Sequence, residues 1–218
     1  MPRALVLSAI LVDIGLVVAR VLTHASVLTV PSAVPTLVWL ALSFAAAAIA
    51  VVWSSGWNAA KADLRLPTAA GLVAGVILVT HMALENFGAR VGEDWRLTLA
   101  VMLATFAIWL SSGWRAAREH SGLPRGTVAG CWTAIVSVLL AITFGFVGMY
   151  FNVPSPAYVQ TWPEYLQSGS NDPQTFAITT TLDTGSGHLI AALLLGPLLG
   201  GLGWFIGSIE IGSKKAGA

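Results

Sequence analysis

VPTLVWLALSFAAAAIAVVWS, residues 34 to 54, carries no ionisable side chain over 21 positions. A helix rises about 1.5 Å per residue, so a run of this length reaches about 30 Å, the thickness of a bilayer's hydrocarbon core. Working outward, nothing ionisable except histidine falls between Arg20 and Lys61, between Arg125 and Glu164, or between Asp183 and Glu210. The chain of 218 residues is 56% hydrophobic and only 10% charged. A water-soluble globular surface usually takes about 25% charged residues. These observations predict an all-α polytopic membrane protein, a single transmembrane domain over residues 1–218. Six spans are expected, near 4–23, 34–54, 67–86, 96–113, 127–151 and 188–211.

The composition also excludes several function classes. The net charge is +1 and no Lys/Arg-rich run is present, so nucleic acid is not an expected partner. Cys131 is the one cysteine, which rules out an intrachain disulfide or a cysteine-based metal motif. No phosphate-binding, dinucleotide-binding, HExxH or GxSxG motif occurs, so enzymatic chemistry is not indicated. Asp13, in the middle of the first apolar run, argues for a retained helix and against a cleaved signal peptide.

Basic residues near span ends set the expected orientation, because positive loops stay cytoplasmic. One set of ends holds Arg3, Lys61, Arg65, Arg115, Arg118, Arg125, Lys214 and Lys215; the other holds Arg20, Arg90 and Arg96. Eight against three predicts both termini in the cytoplasm, in a bacterial inner membrane.

The stretch immediately after the second span begins a phrase that the chain writes twice: SSGWNAA at 54–60 and SSGWRAA at 111–117, 57 residues further on. Lys61 matches Arg118, Leu66-Pro67 matches Leu123-Pro124, and Phe87-Gly88 matches Phe144-Gly145. The register predicts an internally duplicated helical hairpin, residues 34–90 and 91–147, comprising spans two and three, then four and five. In each copy the Ser-Ser-Gly step is expected to end an apolar run, with Trp57 and Trp114 at headgroup level and each proline starting the next helix.

The candidate chemistry lies in polar groups set inside this apolar background. Asp13 sits near mid-membrane, where an ionised carboxylate costs on the order of 3 kcal/mol, and Arg20 follows two turns later on the same face. Asp13 is either a functional group or a buried carboxyl hydrogen-bonded to a neighbouring helix. His81 and Glu85, four residues apart, share a helical face, and their repeat counterparts Val138 and Ile142 are apolar. The pair reads either as a proton- or cation-handling couple or as a polar pair near the outer boundary. His188 is expected on the outer side with His24, and His81, Glu85 and His188 are the candidates for a metal site. No cofactor is predicted, with haem or metal left open.

In LDTGSGH, 182–188, a lone Asp-Thr-Gly cannot supply the carboxylate pair of an aspartic protease. Asp183, Thr184 and Ser186 are instead expected to cap span six. Within that span, Gly196, Gly200, Gly203 and Gly207 form a small-residue pattern suited to close helix packing, and Pro197 should kink it. A discontinuous helix lining a cavity is the alternative. The segment 152–187, rich in proline and aromatics, is expected to be an extracytoplasmic loop, ordered as a cap or used as a docking surface.

The leading expectation is a small transporter or permease-like protein binding a cation or proton at Asp13, Arg20, His81, Glu85 and His188, between spans one, three and six. The alternatives are a non-catalytic subunit of a larger membrane complex and a haem- or metal-binding membrane protein. The expected partners are the lipid bilayer and either further copies of the chain or other membrane subunits.

Overall fold

A computed structural model describes residues 2–53, 64–87, 95–119, 123–151 and 153–216. Six of its helices are long and apolar enough to cross a membrane. They are α1 (Pro2–Thr23), α2 (Ala33–Trp53), α3 (Arg65–Phe87), α4 (Trp95–Glu119), α5 (Leu123–Tyr150) and α8 (Pro173–Ala216). Two short helices, α6 (Pro156–Val159) and α7 (Pro163–Ser168), lie between α5 and α8, and a 3-10 turn (Ala25–Thr29) joins α1 to α2. Helix is the expected answer for such a sequence, since hydrocarbon offers no partner to an open backbone N–H or C=O.

The architecture is organised around α5. Of its apolar window, 67% is buried, whereas no other span exceeds 28%. Around it, α1, α2, α8, α4 and α3 form an open arc, each packed on the next, with α1, α3, α4 and α8 also touching α5. Outward-facing leucine, isoleucine and tryptophan side chains such as Leu11, Trp39, Ile49 and Leu198 stay exposed on this arc, which suits lipid surroundings. One end of the bundle gathers the start of α8 with the α1–α2 turn, through Ser26 Oγ and Thr175 Oγ1 at 3.0 Å. The opposite end gathers the ends of α4 and α8, through Arg118 and Glu210 at 2.9 Å. These are called the Asp172 end and the Glu210 end below.

The glycines of α8 explain why three helices can approach so closely. A Cβ on Gly200 would lie 2.8 Å from the Cα of Gly130, and one on Gly196 would lie 2.6 Å from the Cβ of Ala134. A Cβ on Gly207 would meet Ala117 and Trp114 of α4 at 3.0 Å, while Gly203 abuts the backbone of Leu110. The small-residue ridge of α8 is therefore wedged between α4 and α5. Its partners there include Gly113, Gly126 and Gly130, which close the same gap from the other side.

Three expectations change. The helix that carries span six begins at Pro173 and not near 188, because Asp172 caps it there and Pro173 takes its first position. Asp172 Oδ1 accepts from the backbone N–H groups of Gln174 at 3.0 Å and Thr175 at 3.2 Å, and Oδ2 accepts from the Thr175 hydroxyl at 2.6 Å. Asp183, Thr184 and Ser186 are consequently helix-interior residues and cap nothing; buried Ile178, Leu182 and Leu189 mark the inward face of that extension. The connection expected to fill 152–187 is thus helical from 173 onward. It is shorter than its composition implied, and the helix runs unbroken through Pro197.

The second change concerns the repeated phrase. Its first copy, 54–60 with Trp57, lies outside the described residues. Its second copy does not end α4: the hydroxyls of Ser111 and Ser112 fold back onto the Ile108 carbonyl at 2.9 and 3.1 Å, and the helix continues to Glu119. Gly113 serves as a contact with α8. Trp114 is half-buried, donating to Glu210 Oε2 at 3.2 Å beneath the Arg118 guanidinium, which stands 3.7 Å from its ring centre.

The third concerns the hairpins. α4 and α5 pack along one another, but α2 lies against α8 and α1 and shares no extended face with α3 among the described residues. α3 is also peripheral where α5 is central. Whatever the origin of the sequence repeat, its two halves occupy unlike positions.

Candidate functional site

α3 carries His81 and Glu85 one turn apart, and the helical spacing brings His81 Nδ1 to 3.5 Å from Glu85 Oε1. The other ring nitrogen of His81 lies 3.3 Å from the hydroxyl of Thr98 on α4. The end of α3 is held in place from outside by Tyr158 of α6, whose phenol donates to the Glu85 carbonyl at 3.2 Å. His81 is largely buried, with 10% of its side chain exposed, while Glu85 at 38% reaches open space.

Both face a cavity of about 580 Å³ bounded by α3, α4, α5 and α8. Its walls are mainly apolar and aromatic, including Leu78, Phe106, Trp109, Ile142 and Phe146. The indole of Trp109 is fixed by a 3.1 Å hydrogen bond to Ser137 of α5. Threonines interrupt the apolar surface on α4 and α8. His188 of α8 lines the same space, with Nδ1 held 2.7 Å from the Thr184 carbonyl. That contact assigns the proton to Nδ1 and leaves Nε2 as the acceptor.

Thr105 is distinctive. Thr80 and Thr181 each donate to the carbonyl four residues back, at 2.8 Å in both cases. Thr105, only 2% exposed and lining the cavity, has a buried hydroxyl with no protein partner. Burying a polar group without a partner costs on the order of 1–3 kcal/mol, and this oxygen is itself enclosed by its neighbours and not open to the space.

The expected site between spans one, three and six divides. His81, Glu85 and His188 come together around one cavity, but no residue of α1 lines it. Asp13 is fully buried against α5, where Thr143 donates to Oδ1 at 2.7 Å and Oδ2 has no partner. Arg20 lies nearer the Asp172 end, beside Met149, Pro154 and Ile178. The cause is architectural: α1 packs on α5 and α2, so the central helix stands between Asp13 and the cavity. Among the described residues, no three His, Cys, Asp or Glu side chains converge to hold a metal ion, so His81, Glu85 and His188 share a chamber without forming a ligand set.

A second cavity, of about 340 Å³, opens at the Glu210 end between the start of α3, the end of α4 and the start of α5. Arg115, Glu119 and Arg125 stand around it; sequence reasoning had assigned Arg115 and Arg125 only to charged span ends and had not singled out Glu119.

Sequence reasoning missed Thr98, Thr105 and Trp109. Their one visible signal is spacing, since Thr98 and Thr105 are seven residues apart and share a helical face. Comparison of the chain with protein-family models, with characterised proteins and with solved structures gives no match.

Proposed function

We propose that this is a permease-like membrane protein in which the cavity between α3, α4, α5 and α8 receives a transported cation, with Glu85 as its counter-charge and His81 as the neighbour that tunes it. The observation that carries this reading is the convergence on one chamber of the His81–Glu85 pair and His188. Ionisable groups inside a membrane are costly and concentrate on substrate and ion pathways. Asp13 falls outside this pathway and is assigned a packing role through Thr143.

Transport requires that the chamber be reachable from both faces of the membrane in turn. The test is Thr184→Cys, at an exposed lining position, in a Cys131→Ala background, labelled with a membrane-impermeant thiol reagent in right-side-out and in inside-out vesicles. Labelling from both sides is expected. Labelling from one side only, or from neither, rejects transport.

A further inference from the structure

The chamber's chemistry points to a lipophilic organic cation as the species it takes. This inference rests on reading the cavity as the transport site.

Charge is the first consideration. Among the described residues lining the cavity, Glu85 is the one carboxylate and no lysine or arginine is present. The nearest counter-group is His81, and neither it nor His188 carries a fixed charge, so the carboxylate of Glu85 is the one group in this wall with no neutral base as its alternative form. An anion would meet that carboxylate with no fixed cation to offset it.

Shape and surface are the second. At about 580 Å³ the space falls within the range of about 300–1,000 Å³ that holds drug-sized organic molecules, and it is far larger than a bare ion needs. A small metal cation would also want several oxygen or nitrogen ligands converging within bonding distance, an arrangement absent among the described residues. Phe106, Trp109, Phe146 and Trp162 instead line the space. Aromatic rings attract organic cations through their negative faces, and the attraction grows when water is excluded.

The occupant so described is a bulky, mostly apolar cation with its charge toward Glu85 and its ring system against α4 and α5.

The experiment uses the purified full-length chain in a neutral detergent and a pair of probes alike in shape and opposite in charge, tetraphenylphosphonium and tetraphenylborate. Binding is followed by calorimetry. Tetraphenylphosphonium should bind at least about tenfold more tightly than tetraphenylborate, and Glu85→Gln should remove about tenfold of that preference, an effect of about 1.4 kcal/mol. Glu85→Asp, which keeps the charge, should retain it.

Equal binding of the two probes, binding that Glu85→Gln leaves unchanged, or no binding of tetraphenylphosphonium overturns the assignment. Should Glu85→Gln fail to fold, the wild-type comparison of the two probes decides alone. The cysteine-labelling test contains no organic cation, so the two ideas fail separately. Two-sided labelling without phosphonium binding leaves a permease for another substrate class. Phosphonium binding with one-sided labelling leaves a cation-binding protein that does not transport.

Discussion

The hydroxyl of Thr143 on α5 donates to the Oδ1 of Asp13 on α1 at 2.7 Å, joining the two helices in the middle of the apolar bundle. Thr143 also lies 2.8 Å from the Leu139 carbonyl, so the hydroxyl has a place to turn when the carboxyl is absent. Hydrogen bonds between membrane helices average about 0.6 kcal/mol and reach about 1.7 kcal/mol. In a double-mutant cycle of Asp13→Asn and Thr143→Val, followed by unfolding in mixed micelles, the coupling should fall in that range. Coupling indistinguishable from zero would show that the contact does not join α1 to α5.

The glycine ridge makes a sharper forecast, because it distinguishes positions by space. Gly200→Val and Gly113→Val place a side chain against the backbone of a neighbouring helix and should each cost at least about 1–3 kcal/mol. Around Gly15 and Gly187 an added Cβ would meet nothing within 4 Å. Alanine there should be neutral or stabilising, by up to about 1 kcal/mol, since it is the better helix former. Thermal midpoints of the four variants in detergent provide the check, and equal losses at all four sites would contradict the wedge of α8 between α4 and α5.

At the Glu210 end, Arg118 grips both carboxylate oxygens of Glu210, at 2.9 and 3.0 Å, while its guanidinium lies over Trp114. The pair is substantially exposed, at 43% and 38%, so its contribution is small, about 0–1 kcal/mol, and should shrink with added salt. Arg118→Lys keeps the charge but loses the planar fork and its stacking. It should therefore behave like Arg118→Gln in a melt at low salt, and a melt matching wild type would assign the contact to charge alone.

Asp172 gives the pH dependence. The Thr175 hydroxyl holds its carboxyl below the usual range, aided by the backbone N–H groups of Thr175 and Gln174 and by nearby His24, with partial burial opposing them. A carboxylate whose folded value is depressed stabilises fully above its unfolded value, about 3.9, and the contribution fades as pH falls through the lower folded value. The thermal midpoint should thus decline below about pH 4, and Asp172→Asn, which keeps a capping side chain, should flatten that part of the decline. Parallel profiles for both proteins would remove Asp172 as the source. At neutral pH, Asp172→Ala should lose about 1 kcal/mol, as typical for an N-cap.

Much of the fold was legible because hydrocarbon imposes a simple demand: long runs without charge must be helices. The spans from Val34 and from Thr127 could hardly be read otherwise. The start of α8 was not legible, since residues 173–187 are rich in threonine and glycine and resemble a loop by hydropathy. Only the side-chain bonds of Asp172, together with the inward face of Ile178 and Leu182, reveal a helix there. His81 and Glu85 could be singled out as polar residues whose repeat counterparts are apolar. Their company could not, because neighbourhood across helices leaves no trace in a single sequence: His188 proved to share their chamber, Asp13 did not, and Thr105 looked like any span threonine.

At 44 residues, α8 is about 66 Å long, roughly twice what a bilayer requires. Its tightest contact, at Gly200, divides it unequally, into arms of about 40 Å toward Asp172 and about 24 Å toward Ala216. Mechanically this is a lever with an off-centre fulcrum. A tilt of about 5° about Gly200 would swing the Asp172 tip through about 3.5 Å and displace the chamber wall at His188 by about 1.6 Å. The end of the short arm would move about 2.1 Å, and Glu210, which pins it, about 1.3 Å. Motion begun at the tip, where Ser26 and Thr175 touch, would reach the chamber geared down by a little more than half.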